Sequence, residues 1–112
     1  MVNRAAVILK YKASFIQWIN ESDPYNDDPG ITMEEANEDR TVYLISQEDA
    51  EAVDEWIKAN YEALFKAELG GWYEDEALWP QNISQKMFHD WFEVECHTVL
   101  IDTVGDPILN EE

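Results

Sequence analysis

The segment from Trp72 to Trp79 has the residue types best suited to bind a ligand. Large rings stand on both sides of three consecutive carboxylates there. The predicted binding residues are Trp72, Tyr73, Glu74, Asp75, Glu76 and Trp79. Tryptophan and tyrosine are favoured at interfaces because each ring has an apolar body and a polar end. Rings rimmed by carboxylates suit a basic or an aromatic ligand. The alternative is that these rings close the core beneath a long helix, since most aromatic clusters are packed inside.

Nucleophile and thiolate-metal chemistry have little support elsewhere in the chain. Cys96 and His97 are adjacent, so on a strand their side chains point to opposite faces and cannot form a catalytic pair. One cysteine and two histidines cannot supply a thiolate-rich zinc site. Phosphate-binding glycine motifs and the nucleophile-elbow motif do not occur. The sequence therefore predicts no catalytic residue, no metal ligand and no cofactor.

Oxygen-rich cation sites are chemically conceivable at two places. The acidic loop at 23–28 has suitable oxygens, but its glycine does not fall at the position that an EF-hand loop requires. Glu74, Asp75 and Glu76, joined by a histidine from another element, would suit a small metal-dependent hydrolase. This hydrolase is the alternative function, and a solvated acidic surface is the simpler interpretation of both segments.

The charge of the chain indicates the class of partner. The sequence has 25 acidic residues and 7 lysines and arginines, which gives a formal charge of −18 on 112 residues. Such a surface argues against direct nucleic-acid binding and favours a basic protein partner. In one version of this prediction the acidic chain mimics nucleic-acid phosphates and so occupies a basic protein. The chain is also 46% hydrophobic, with five Trp, five Tyr and four Phe, so it has the apolar material for a core.

The few cations are unevenly placed. Residues 1–20 contain Arg4, Lys10 and Lys12 and no acid. If the first strand and helix expose these cations together, they can meet the acidic surface of a neighbouring copy. Self-association into a homodimer is therefore a further prediction, and local pairing of each cation is its alternative.

Length and cysteine content predict one domain in a reducing compartment. We expect residues 1–112 to form a single globular domain. Cys96 is the sole cysteine, no secretory signal is recognisable, and no apolar run approaches the roughly 18 residues of a membrane span. The prediction is a cytoplasmic protein without a membrane partner.

Hydrophobic patterning predicts three strands, at 5–11, 41–45 and 96–104. A first helix follows the first strand, and Thr32 with Glu35 has the spacing of a capping box before a short second helix. Ser46 should cap the main helix, and the glycine pair at 70–71 should end it.

The remaining segments complete the predicted fold. One helical turn is expected at 74–78, Asn82 or Ser84 should cap a last helix, and 23–30 and 105–112 should be irregular. The fold class is α+β, a two-layer, three-stranded sheet in strand-helix-strand-helix-helix-strand order with helices mainly on one face. We expect strand order 2-1-3, with the first two strands parallel through a right-handed crossover.

Three stretches carry a resemblance to known sequences. Residues 68–80, read as ELGGWYEDEALWP, together with TVYLI at 41–45 and HDWF at 89–92, resemble a family of small acidic bacterial proteins of unknown function. The resemblance implies a bacterial, cytosolic, single-domain protein, and it transfers no activity, cofactor or catalytic residue. The predicted function is a non-enzymatic acidic binding or regulatory protein that engages a basic or aromatic protein partner.

Overall fold

Helices and an antiparallel sheet make up the computed structural model, which describes residues 2–23 and 30–107. Within these ranges the elements are β1 (Arg4–Tyr11), α1 (Ala13–Ser22), α2 (Met33–Ala36), β2 (Val42–Ser46), α3 (Gln47–Glu51), α4 (Val53–Trp72), a 3-10 turn (Glu76–Leu78), α5 (Gln85–Trp91) and β3 (Phe92–His97). The predicted α+β class is confirmed. Most of the predicted loop at 23–30 and the end of the predicted tail at 105–112 lie outside the described residues.

The sheet has the order β2-β1-β3, as predicted. The predicted parallel pairing of the first two strands is wrong, because β1 is antiparallel to both of its neighbours. A parallel β2 would have to begin at the Arg4 end of β1, which is the end that a single crossover helix would reach. Here α1 leaves from the Tyr11 end, and α2 comes back to that same end before β2 begins.

Asn37 shows how closely the chain returns to the end of β1. Its side-chain oxygen accepts from the Tyr11 backbone N–H at 2.9 Å, and its side-chain nitrogen donates to the Tyr11 carbonyl at 3.1 Å. The amide thus satisfies both backbone groups of Tyr11, as a strand partner would. Val42 then starts β2 opposite Ile8, running against β1.

Alternate residues of β1 face the helices and form the centre of the core. Ala5, Val7, Leu9 and Tyr11 are all buried, at 0 to 7% exposure. Phenylalanine rings from three other elements surround the end of this row: Phe15 stacks on Tyr11 at 4.3 Å, and Phe65 and Phe92 lie 5.1 Å apart. Large rings bury more apolar area than any other side chain, which explains how so acidic a chain holds a core.

The predicted main helix is divided in two. The Ser46 hydroxyl accepts from the backbone N–H of Asp49 at 3.0 Å, so the predicted cap is present, but it starts the short α3. Ala52 leaves helical geometry at φ −132° and ψ 56°, and α4 starts after it. The prediction that the glycine pair ends the helix is wrong, because α4 passes through both glycines and ends at Trp72.

The third strand lies earlier than predicted. It runs over Phe92–His97, whereas the sequence predicted 96–104. Phe92 follows Phe88 at helical spacing, which favours a helix there, yet it also begins a period-two pattern in which Val94 and Cys96 face the core. Val99 and Ile101, the expected centre of the strand, are 67% and 72% exposed.

Candidate binding site

The three rings of the predicted binding segment are partly buried and tied to the body of the protein. The Tyr73 hydroxyl donates to the Ile19 carbonyl at 2.7 Å, and Trp79 Nε1 donates to the Tyr73 carbonyl at 2.8 Å. Trp72 Nε1 donates to the Tyr11 hydroxyl at 3.1 Å. Each polar ring atom therefore has a partner inside the molecule, and the rings fix the segment against α1 and β1.

The three carboxylates of the segment are exposed. Asp75 Oδ1 accepts from the Ala77 backbone N–H at 3.0 Å and so caps the 3-10 turn. Glu74 and Glu76 extend the acidic surface. Across residues 2–23 and 30–107, no group of three or more His, Cys, Asp and Glu side chains is placed to hold a metal ion.

The segment divides between two concave surfaces. Glu76 and Trp79 line a groove of about 400 Å³, which is completed by Glu62, Lys66, Pro80, Gln81, Asn82 and Ile83. Trp72 lines a different pocket, so the structure does not bring the six predicted residues to one site. The second pocket contains a carboxylate that the sequence analysis did not single out.

That carboxylate belongs to Glu68, which is only 5% exposed. The Tyr11 hydroxyl donates to its Oε1 at 2.7 Å, and the Tyr43 hydroxyl donates to its Oε2. Trp72 Nε1 donates in turn to the Tyr11 oxygen. Glu68 is the one charged side chain buried within the described residues, and burying a carboxylate is costly unless hydrogen bonds compensate it.

The two phenols remain donors over a wide pH range. Burial, and next the hydrogen bond to Glu68, raise the pKa of Tyr11 well above its ordinary value. The same two causes raise the pKa of Tyr43. A phenolate beside the carboxylate would place two like charges in a poorly solvated site. Both O–H groups therefore stay protonated and directed at Glu68 at neutral pH.

The pocket beside Glu68 has a volume of about 230 Å³. It lies between the end of α4 and the chain entering β2, and its walls are Tyr11, Asp39, Thr41, Ala67, Glu68, Gly71 and Trp72. Aromatic rings, a hydroxyl and two carboxylates thus converge on a space of side-chain size. Such a lining is chemically suited to a cation.

Searches of protein-family models, curated proteins and solved structures found no match. The resemblance to small acidic bacterial proteins therefore stays a prediction. No helix in the described part of the chain is both long and apolar enough to cross a bilayer.

The sequence contained one signal for Glu68. Ile57, Leu64 and Phe65 mark the buried face of α4, and Glu68 falls four residues after Leu64 on that same face. An acid on an apolar helical face must find donors when the helix packs. The hydrogen-bond donors to Glu68 come from β1 and β2, so tertiary contacts determine which residues make up the site.

Proposed function

We propose that this protein is a non-enzymatic binding protein that engages a basic protein partner and receives one of its lysine or arginine side chains in the pocket beside Glu68. The observation that carries the proposal is a buried carboxylate at the wall of an accessible pocket between aromatic rings. We place the protein in the cytosol, because its sole cysteine, Cys96, is a free thiol.

The carboxylate retains capacity for a further donor. A carboxylate offers roughly four lone-pair positions, and the two tyrosine hydroxyls occupy one on each oxygen of Glu68. A cationic group in the pocket would add a charge-assisted hydrogen bond, which is about twice as strong as a neutral one. The low exposure of Glu68 increases this interaction, since water screens it little.

The surroundings of the pocket favour the same ligand. Asp39 places an exposed carboxylate in the wall opposite the helix, and the partly exposed Trp72 ring offers an aromatic surface to a cation. At longer range the net charge of −18 attracts basic molecules and accelerates their encounter at low ionic strength. The acidic surface thus recruits the partner, and the pocket selects a single side chain.

The alternative function requires a different arrangement. A metal-dependent hydrolase would need Glu74, Asp75 and Glu76 to converge with a histidine. In the described residues those carboxylates are exposed along a turn, and Asp75 is engaged in capping it. No specific observation favours this function over the binding protein.

A lysine-rich peptide and the same peptide with acetylated lysines test the proposal. Isothermal titration at low salt should detect binding of the unmodified peptide only, and affinity should fall as salt is raised. Glu68→Gln should weaken binding by about tenfold, equivalent to ~1.4 kcal/mol. Glu55→Gln is the matched control, since it removes one exposed carboxylate from the same helix, and it should weaken binding less than ~2-fold.

Circular dichroism and thermal unfolding establish that both variants are folded before titration. Equal losses in Glu68→Gln and Glu55→Gln would show that only net charge matters and would overturn the role of the pocket. Equal binding of the acetylated peptide would overturn cation recognition altogether.

A further inference from the structure

The side of the sheet opposite the helices is exposed and partly apolar. Because the odd-numbered residues of β1 face the core, Ala6, Ile8 and Lys10 lie on the other face. The register places Leu44 and His97 on either side of Ala6, and Val42 and Glu95 on either side of Ile8. We call this surface, at the even positions of β1 and β2 and the odd positions of β3, the open face.

Apolar side chains are concentrated on the β2 side of the open face. Val42 and Leu44 are 52% and 55% exposed, next to the partly buried Ile8. The backbone N–H of Val2 donates to the Leu100 carbonyl at 2.8 Å, so the chain beyond β3 continues beside the start of β1. This brings the exposed Val99 and Ile101 to the end of the same sheet. Exposed apolar side chains grouped on one sheet in this way favour an interaction site.

The open face differs in charge from the remaining surface. Arg4 and Lys10 stand at even positions of β1, Arg40 lies just before β2, and Glu93 and Glu95 stand at odd positions of β3. Arg40 Nη1 lies 3.5 Å from Glu95 Oε1, which places this pair on the face. Three of the chain's seven cations thus meet two carboxylates here. Of the three N-terminal cations, Lys12 lies elsewhere, with its ammonium bonded to the His89 carbonyl at 3.0 Å.

Two further acids border the open face and change its local charge only slightly. Glu34 and Glu38 line a groove of about 590 Å³ together with Lys10 and Arg40. With them included, the local charge is −1, which leaves a charge of −17 on the rest of the chain. A basic partner is drawn to that remaining surface. The open face is where another molecule of the same strongly acidic protein approaches with least repulsion.

We infer that the open face binds a second copy of this chain, forming a symmetric dimer with the two sheets packed face to face. A twofold axis brings the apolar β2 side of each copy onto the other sheet, so that Leu44 and Val42 of both copies are covered. The same symmetry lets the cations of one copy face the carboxylates of the other. The inference is independent of the cation pocket, which lies on the other side of the molecule's sheet.

The small area of the open face predicts a weak dimer. Strands of 8, 5 and 6 residues, spaced about 4.8 Å apart, give a footprint of about 300 Å² per copy. The total, about 600 Å², lies well below the roughly 1,200 Å² at which stable interfaces begin, in the range of weak association. We expect a dissociation constant of about 10 µM to 1 mM. Added salt should strengthen the dimer, because it screens repulsion between two acidic copies.

Sedimentation equilibrium of the full chain tests the inference. Samples from about 10 µM to about 1 mM should shift from monomer toward dimer, and more so in ~0.5 M than in ~0.05 M NaCl. Leu44→Glu should raise the dissociation constant at least ~10-fold, since each dimer loses two buried leucines. Ala63→Glu adds the same charge at an exposed position of α4 and should leave dimerisation within ~2-fold.

Leu44→Ser provides a second variant without added charge, and it should weaken the dimer in the same direction. A monomer at all concentrations and salt levels would overturn the inference, as would a dimer equally stable in Leu44→Glu and Ala63→Glu. A dimer that forms only after removal of residues 108–112 would identify that segment as the occupant of the open face and would also overturn it.

Discussion

Replacing Tyr43 by Phe should destabilise the protein through Glu68. The substitution keeps the ring and removes the O–H that donates to Glu68 Oε2. The carboxylate is 5% exposed, so water replaces the lost donor poorly. Hydrogen bonds to charged groups contribute roughly 1.5–3 kcal/mol. Because Tyr43 itself is only partly buried, we expect a loss near the middle of that range, ~2 kcal/mol.

Urea unfolding followed by tryptophan fluorescence measures this loss as a lower midpoint at unchanged slope. Tyr61→Phe is the control, because within the described residues the Tyr61 hydroxyl has no hydrogen bond and the ring packs on Phe88. It should cost less than ~0.5 kcal/mol. In a Glu68→Gln background the cost of Tyr43→Phe should fall to that of a neutral hydrogen bond, ~0.5–1.5 kcal/mol. An equal cost in both backgrounds would refute the assignment of a charge-assisted bond.

Two further predictions concern pH and the backbone. The folded chain raises the pKa of Tyr11 and Tyr43, so their contribution to stability is complete below about pH 10 and is lost as pH rises further. Unfolding free energy should fall by up to ~1.4 kcal/mol per pH unit for each tyrosine, and the double Phe variant should show a shallower slope. Gly30→Ala should cost ~2 kcal/mol, because φ is +76° and a Cβ would lie 2.6 Å from Asn20 Oδ1. Gly105→Ala meets no atom within 4 Å, and equal melting temperatures of the two alanine variants would contradict this reasoning.

Local patterns predicted the elements more accurately than the connections between them. The capping box of Thr32 and Glu35 and the cap at Ser46 are both present, because a cap depends on residues three positions apart. The direction of β2 depends on where α2 returns, which the Asn37 contact with Tyr11 determines. That contact spans 26 positions, so no short pattern encodes it.

The Glu68 site illustrates the same limit. The helical period is consistent with Glu68 on the buried face of α4, but the sequence analysis made no prediction for it, and its donors are 57 positions away at Tyr11 and 25 positions away at Tyr43. Trp72 was predicted as a binding residue on ring chemistry alone. Its link to Glu68 through the Tyr11 hydroxyl becomes visible only when β1 and α4 are packed together.

The position of β1 at the centre of the sheet has a consequence for synthesis on the ribosome. Of the three strands β1 leaves the ribosome before the others, yet one of its two neighbours is β3, and Ala6 pairs with His97. Every residue between β1 and β3 must therefore be made before the most apolar strand gains its second partner. Such distant pairing slows folding and prolongs exposure of unpaired strand edges. Nascent chains that stop before β3 should accordingly be prime clients for chaperones and proteases.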